Sequence, residues 1–309
     1  MSKEGRHHYV PVFYLKQWAR DNGRLCEFSK PYDRVKPRRT HPEGTGYVDG
    51  LNTVEGLPPA ETKFLEDVFF QIADDAAARA LKILFTPPPW TLTPKERSGW
   101  SRFIMALLVR NPESVQKYKE VAVAIFKEAL PRIEAAYAKD RGPSDPPTYA
   151  EYAQLHGPNP AARTIVRVIQ TLADNAELGR RINSMRWMVL SDTQPKFELL
   201  TSDRPMLITN GIGPPKGHLV MPISPFRVFV ATNNVETENH IRTVWNNGDA
   251  IEQINNRVAC QSRKYVYGSD DRQLAFVSKR LGLKYTADPM ENLSFDALLA
   301  AARAAASTA

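Results

Sequence analysis

The chain has 309 residues, 42% hydrophobic and 24% charged, with 41 Lys and Arg against 34 Asp and Glu and a net charge of +7. This is the composition of a globular protein able to bury a large core, and no apolar run approaches the ~20 residues of a membrane-spanning helix. Two widely separated cysteines, Cys26 and Cys260, form no disulfide framework, and the charged opening lacks the apolar stretch of a secretory leader, so a reducing, cytoplasmic setting without membrane attachment is expected.

The segment HHYVPVFYLKQW (7–18) places Pro11 between an extended start and a short helix over 11–18, with Phe13 or Tyr14 and Trp18 turned inward. Asn22-Gly23 marks a turn, and 25–29 alternates as a short edge strand. Five prolines and many polar residues over 30–59 predict mostly loop, with a brief strand at 46–48. Phe64, Leu65, Val68, Phe69, Ile72 and Ala73 recur at helical spacing and predict a helix to Leu84, with Glu66, Asp67, Asp74 and Asp75 on its wet face.

Thr93, Pro94 and Glu96 form a capping box for the next helix, which stops near Arg110-Asn111-Pro112. A third helix, over 113–139, contains Pro131 and should kink or split there. A fourth starts at Asn159-Pro160 and runs to near Ile182. After Arg186 the hydrophobic period shortens toward two, giving strands at 186–191, 197–201, 206–209, 219–223 and 228–231. Helices at 239–246 and 249–262, a strand at 265–267 and a helix at 271–281 follow, and the alanine-rich residues 297–309 are expected to fray.

The expected fold class is therefore α+β, with long helices in the N-terminal half packed against a small, mainly antiparallel sheet in the C-terminal half. The expected division is an N-terminal motif and loop over 1–60 packed on the C-terminal part, a helical subdomain over 61–183, a sheet-containing subdomain over 184–296 and the tail over 297–309.

Candidate chemistry sits at element boundaries beside prolines. Adjacent His7 and His8 point to opposite faces if extended, so one can serve a site while the other pins the segment. Arg110, at a helix C-terminus, complements the dipole or reaches inward to clamp an anion. Asp203, in Thr201-Ser202-Asp203-Arg204-Pro205, either closes a turn or enters the same cleft as His8. No complete metal-ligand spacing is present, although His8 and Asp203 are available to a divalent ion. Neither a nicotinamide-binding glycine fingerprint nor a P-loop occurs.

Together, His7-His8-Tyr9-Val10-Pro11 with Phe13-Tyr14-Leu15, the helix led by Glu61, the Arg110-x-Pro112 helix end and Thr201-Ser202-Asp203-x-Pro205 resemble the bacterial family called domain of unknown function 4238, over about residues 5–268. Val12 departs from the Gln or Arg usual after the family's HHYVP string. The resemblance implies an architecture and a set of positions, but no reaction.

The residues themselves suggest a hydrolase acting on a phosphate-containing substrate. His8 or His7 would be the base, Asp203 would orient the imidazole or share a metal, and Arg110, Arg204 and Ser202 would bind the anionic group. Two other readings stay open. One is a nucleic-acid or nucleotide binder using Lys36, Arg38, Arg39, Arg180, Arg181 and Arg186; the other is a protein-partner module presenting the long helices and the 30–59 loop.

Overall fold

The computed structural model describes residues 5–57, 59–62, 64–87, 91–156, 159–193 and 195–283. The expected frayed tail lies outside them. The chain opens with β1 (Arg6–His8), α1 (Val12–Leu15) and a 3-10 turn, Lys16–Trp18. Next come β2 (Leu25–Ser29), β3 (Lys36–Thr40), β4 (Tyr47–Asp49) and α2 (Pro59–Thr62). A π-helical segment, Leu65–Phe70, leads into α3 (Gln71–Leu84). Then follow α4 (Pro94–Val109), α5 (Pro112–Asp140), α6 (Tyr149–His156), α7 (Ala162–Ala173) and α8 (Ala176–Ser184).

The C-terminal part contains β5 (Arg186–Ser191), β6 (Thr201–Ser202), β7 (Leu207–Thr209), β8 (His218–Ser224) and β9 (Arg227–Thr232). It continues through α9 (Val235–Asn246), α10 (Ala250–Gln261), β10 (Tyr265–Gly268) and α11 (Leu274–Ser278). Among the described residues the strands form three antiparallel sheets: β1 with β4, β3-β2-β10-β6, and β5-β9-β8-β7.

The fold is α+β, but helices and strands are interleaved rather than divided between the halves. β2 is not an edge strand: β3 pairs on one side of it and β10, from the far end of the chain, on the other. The 30–59 segment, expected to be mostly loop, contains β3 as well as β4. Lys-Pro-Arg-Arg-Thr carries no alternating apolar signal because β3 is a mostly exposed sheet edge, where charge and proline discourage further pairing.

Helix boundaries show where local chemistry dominates. The Thr93–Glu96 capping box is formed. Pro131 lies inside a continuous α5, whereas the expected fourth helix is broken after Ala173 and restarts with the Asn175 side chain capping Leu178 N–H. Helix α6 follows the proline-rich connector and was not marked by any of the sequence signals above. The π turn shifts the apolar stripe of the first long helix, so that Phe70 is 2% exposed while Val68 is 42% and Ile72 62% exposed.

One core joins the halves. Leu219, Met221, Phe229 and Ala231 on one face of β8 and β9 pack with Trp100, Phe103, Tyr14 and Trp18. The alternate residues Val220, Val228 and Val230, with Met188 and Leu190, face Ile251 and Val258 of α10. This is the period-two alternation of a sheet covered on both faces. No helix among the described residues is long and apolar enough to cross a membrane.

Candidate functional site

The N-terminal motif is held by buried hydrogen bonds from its own aromatic residues. Tyr14 Oη donates to the Pro222 carbonyl at 2.6 Å and, with its one proton used, accepts from Thr201 Oγ1, also at 2.6 Å. Trp18 Nε1 donates to the Leu199 carbonyl at 2.8 Å. These bonds fix α1 against the later strands, and β1 is fixed in turn by register with β4, His7 opposite Val48 and His8 opposite Tyr47.

The two imidazoles diverge as extended backbone requires. His7 is 2% exposed, and its Nδ1 accepts the Asn52 N–H at 2.8 Å, which places a lone pair there and pins the turn after β4. His8 lies with its ring centroid 5.5 Å from that of Tyr47. Its Nε2 is buried with no hydrogen-bond partner among the described residues. Burial holds the His8 pKa below the ordinary value; a hydrogen bond to the Glu43 backbone opposes this, and the charges of Arg110 and Arg6 reinforce it.

Arg110 follows the last residue of α4, and its N–H still bonds to the Ala106 carbonyl. The side chain turns inward, 1% exposed, with Phe70 and Phe103 ring centroids 5.8 and 5.9 Å from its guanidinium carbon. Nη1 reaches both Asp74 oxygens, at 3.0 and 3.1 Å. Nε and Nη2 are buried and have no partner among the described residues. Their N–H groups lie side by side on one edge of the planar guanidinium, the edge that binds two oxygens of a carboxylate or phosphate in parallel.

Acidic groups surround this arginine. Burial pushes the Asp74 carboxyl up to about 6 against the pull of Arg110, and the charges of Glu66 and Asp75 act in the same upward direction. Glu66, on the π segment, accepts from Asn52 Nδ2 at 2.7 Å, while the Asn52 Oδ1 is buried without a partner among the described residues.

Asp203 is engaged differently. Its Oδ1 accepts from Arg263 N–H at 3.0 Å, and Oδ2 accepts from Lys264 and Tyr265 N–H at 2.6 and 3.1 Å. The carboxylate thus closes the turn entering β10; burial pushes its pKa up to about 6, opposed by those three N–H groups. Ser202 Oγ accepts the Arg204 N–H at 3.1 Å, forming a local turn. The Arg204 side chain is buried and donates to Glu113 at 2.9 Å and to Asn111 at 3.4 Å.

The motifs therefore converge on the start of α5. Arg204 bonds to Asn111, the neighbour of Arg110; Tyr9, the neighbour of His8, feels the charges of Asp203 and Glu113; and His8 feels that of Arg110. His8 and Arg110 share an electrostatic environment, while the oxygens of Asp203 are taken by main-chain donors.

The sequence model of the family described as Protein of unknown function (DUF4238) matches residues 6–272, spanning all four features that carry the resemblance. The chain belongs to that family. No curated protein and no solved structure matches it.

In this DUF4238 chain, sequence reasoning missed Asn52, Glu66 and Asp74. The two acids were assigned to a wet helix face, but Glu66 is tied to Asn52 and Asp74 to Arg110. The π segment upsets a strict 3.6-residue count. Among the described residues, no group of three or more His, Cys, Asp or Glu side chains is placed to hold a metal ion.

Proposed function

We propose that this DUF4238 chain is a hydrolase of phosphate-containing substrates, with the anion on the Nε–Nη2 edge of Arg110 and His8 as the base. The observation supporting this reading most strongly is that open edge: a buried guanidinium with two parallel N–H groups unpartnered among the described residues. Buried polar groups are nearly always hydrogen-bonded, and an oxyanion offering two oxygens satisfies both donors at once. Asp74 holds the fork through Nη1 and leaves that edge without a partner among the described residues.

His8 supplies the complementary group. Its lowered pKa keeps the imidazole neutral near pH 7, so Nε2 can accept a proton. In the proposed step, water gives a proton to Nε2 as its oxygen bonds to phosphorus. The ester oxygen leaves with the bonding pair and takes the proton back. Asp203 serves this reading as a scaffold residue, holding the turn that presents Arg204 to α5.

Turnover of aryl phosphate mono- and diesters tests the assignment. His8→Gln is expected to lower kcat at least a hundredfold with little change in KM, and Arg110→Lys to raise KM. Bound but unhydrolysed esters in the folded wild-type protein would contradict the hydrolase reading and leave a binding protein.

A further inference from the structure

A separate cavity lies across the β5-β9-β8-β7 sheet from the face that packs on Trp100 and Phe103. It has a volume of about 210 Å³ and is bounded by Leu190, Val220, Val228 and Val230 of the sheet and by Ile241 and Trp245 of α9. An apolar cavity of about 150 Å³ is already enough for benzene. The polar residues lining the present cavity are His218, His240, Gln253 and Arg257, and the first two mark its mouth because they also line a neighbouring space. A space of about 580 Å³ shares His218 and His240 and continues along Lys216, Asn234 and Glu236.

The cavity carries one anchored positive charge. Arg257 Nη1 donates to Thr209 Oγ1 at 3.0 Å and Nη2 to the Ile208 carbonyl at 3.4 Å, which anchors its charge beside β7. His218 Nδ1 lies 3.1 Å from the Lys216 carbonyl and so carries the donated proton. The His240 side chain is exposed and makes no hydrogen bond among the described residues. Against Arg257 and Lys216, Glu236 is the one acid among the described residues lining either space. An apolar pocket ending in this charge pattern selects an anionic head on a hydrocarbon body.

We propose that this cavity binds an amphipathic carboxylate, with its alkyl or aryl part between the sheet and α9–α10 and its carboxylate at Arg257 and His240. The site is independent of the Arg110 junction, on the opposite face of the sheet.

Calorimetric titration of the full chain with octanoate provides the test, with acetate, octan-1-ol and octylammonium as comparison ligands. The expected result is saturable one-to-one octanoate binding, at least tenfold weaker binding of octanol, and no binding of acetate or octylammonium at this site. Val244→Phe, which fills the cavity from α9, should abolish octanoate binding, while Arg110→Lys should leave it unchanged. His240→Ala alters an exposed side chain, poses little risk to folding, and should weaken octanoate binding severalfold. The proposal is overturned if octanoate does not bind, if octanol binds equally well, if binding survives in folded Val244→Phe, or if His240→Ala leaves the affinity unchanged.

Discussion

Asp74 takes both of its contacts with Arg110 from a single nitrogen, Nη1, and leaves the Nε–Nη2 edge of a buried guanidinium without a partner among the described residues. The pair thus balances charge without saturating the arginine. Removing one member of such a pair strands the other, whereas replacing both with apolar groups is far less costly. Arg110→Met is therefore expected to destabilise the fold by about 3 kcal/mol. The Arg110→Met/Asp74→Leu double variant should lose less than the sum of the single changes in urea unfolding.

Protonation of Asp74 and Asp203 makes stability depend on pH. Both carboxyls are raised from 3.8 to about 6, chiefly by burial, so between these values the folded chain retains protons that the unfolded chain has released. Their contribution is full below pH ~4 and is lost as pH rises through about 6. His8, with a lowered pKa, acts in the other direction, its contribution being lost as pH falls. Asp74→Asn removes one acid group from the balance. The stability of wild type relative to this variant should fall between pH 4 and 7, as measured by urea unfolding at several pH values.

Two of the five basic residues at 30–39 are committed within the molecule. Arg38 forms a two-point contact with buried Glu27 at 2.9 and 3.1 Å, and Arg39 bonds to the Ser269 carbonyl and approaches Asp271. Each phosphate neutralised contributes about 0.9 to the log–log salt slope of duplex DNA binding. Arg38→Gln/Arg39→Gln should change that slope by less than one, as measured by fluorescence anisotropy across a salt series, and should lower stability by leaving Glu27 unpaired.

The parts of the fold legible in sequence were those governed by local chemistry. Thr93-Pro94-x-Glu96 determined a helix start through its own hydrogen bonds, and the alternation over 219–231 separated the two faces of a sheet. β3 escaped notice because its pairing with β2 places a charged, proline-containing strand at an edge. In the candidate site, the divergence of His7 and His8 follows from extended geometry alone. Asp74 did not stand out because its partner is 36 positions away, across two helices, and because the π segment shifts the phase of the face it occupies.

The shared core leads to a prediction about subdomains. Trp100 and Ile169 from the helical region lie in one cluster with Phe229 and Ala231 from the sheet, so cutting near residue 183 exposes apolar surface on both sides. Limited proteolysis should therefore yield no stable fragment corresponding to 61–183. Each half expressed alone should lack cooperative thermal unfolding.

The central claim is that the Nε–Nη2 edge of Arg110 receives an oxyanion, and the most direct measurement is the Arg Nε–Hε NMR signal of the 15N-labelled protein. Burial should make the Arg110 signal slow to exchange, and Arg110→Lys identifies it by its loss. Titration with inorganic phosphate is predicted to shift that signal downfield and saturate, with His8→Gln retaining the shift at similar affinity. A signal assigned to Arg110 that stays unmoved while phosphate reaches tens of millimolar would contradict the account.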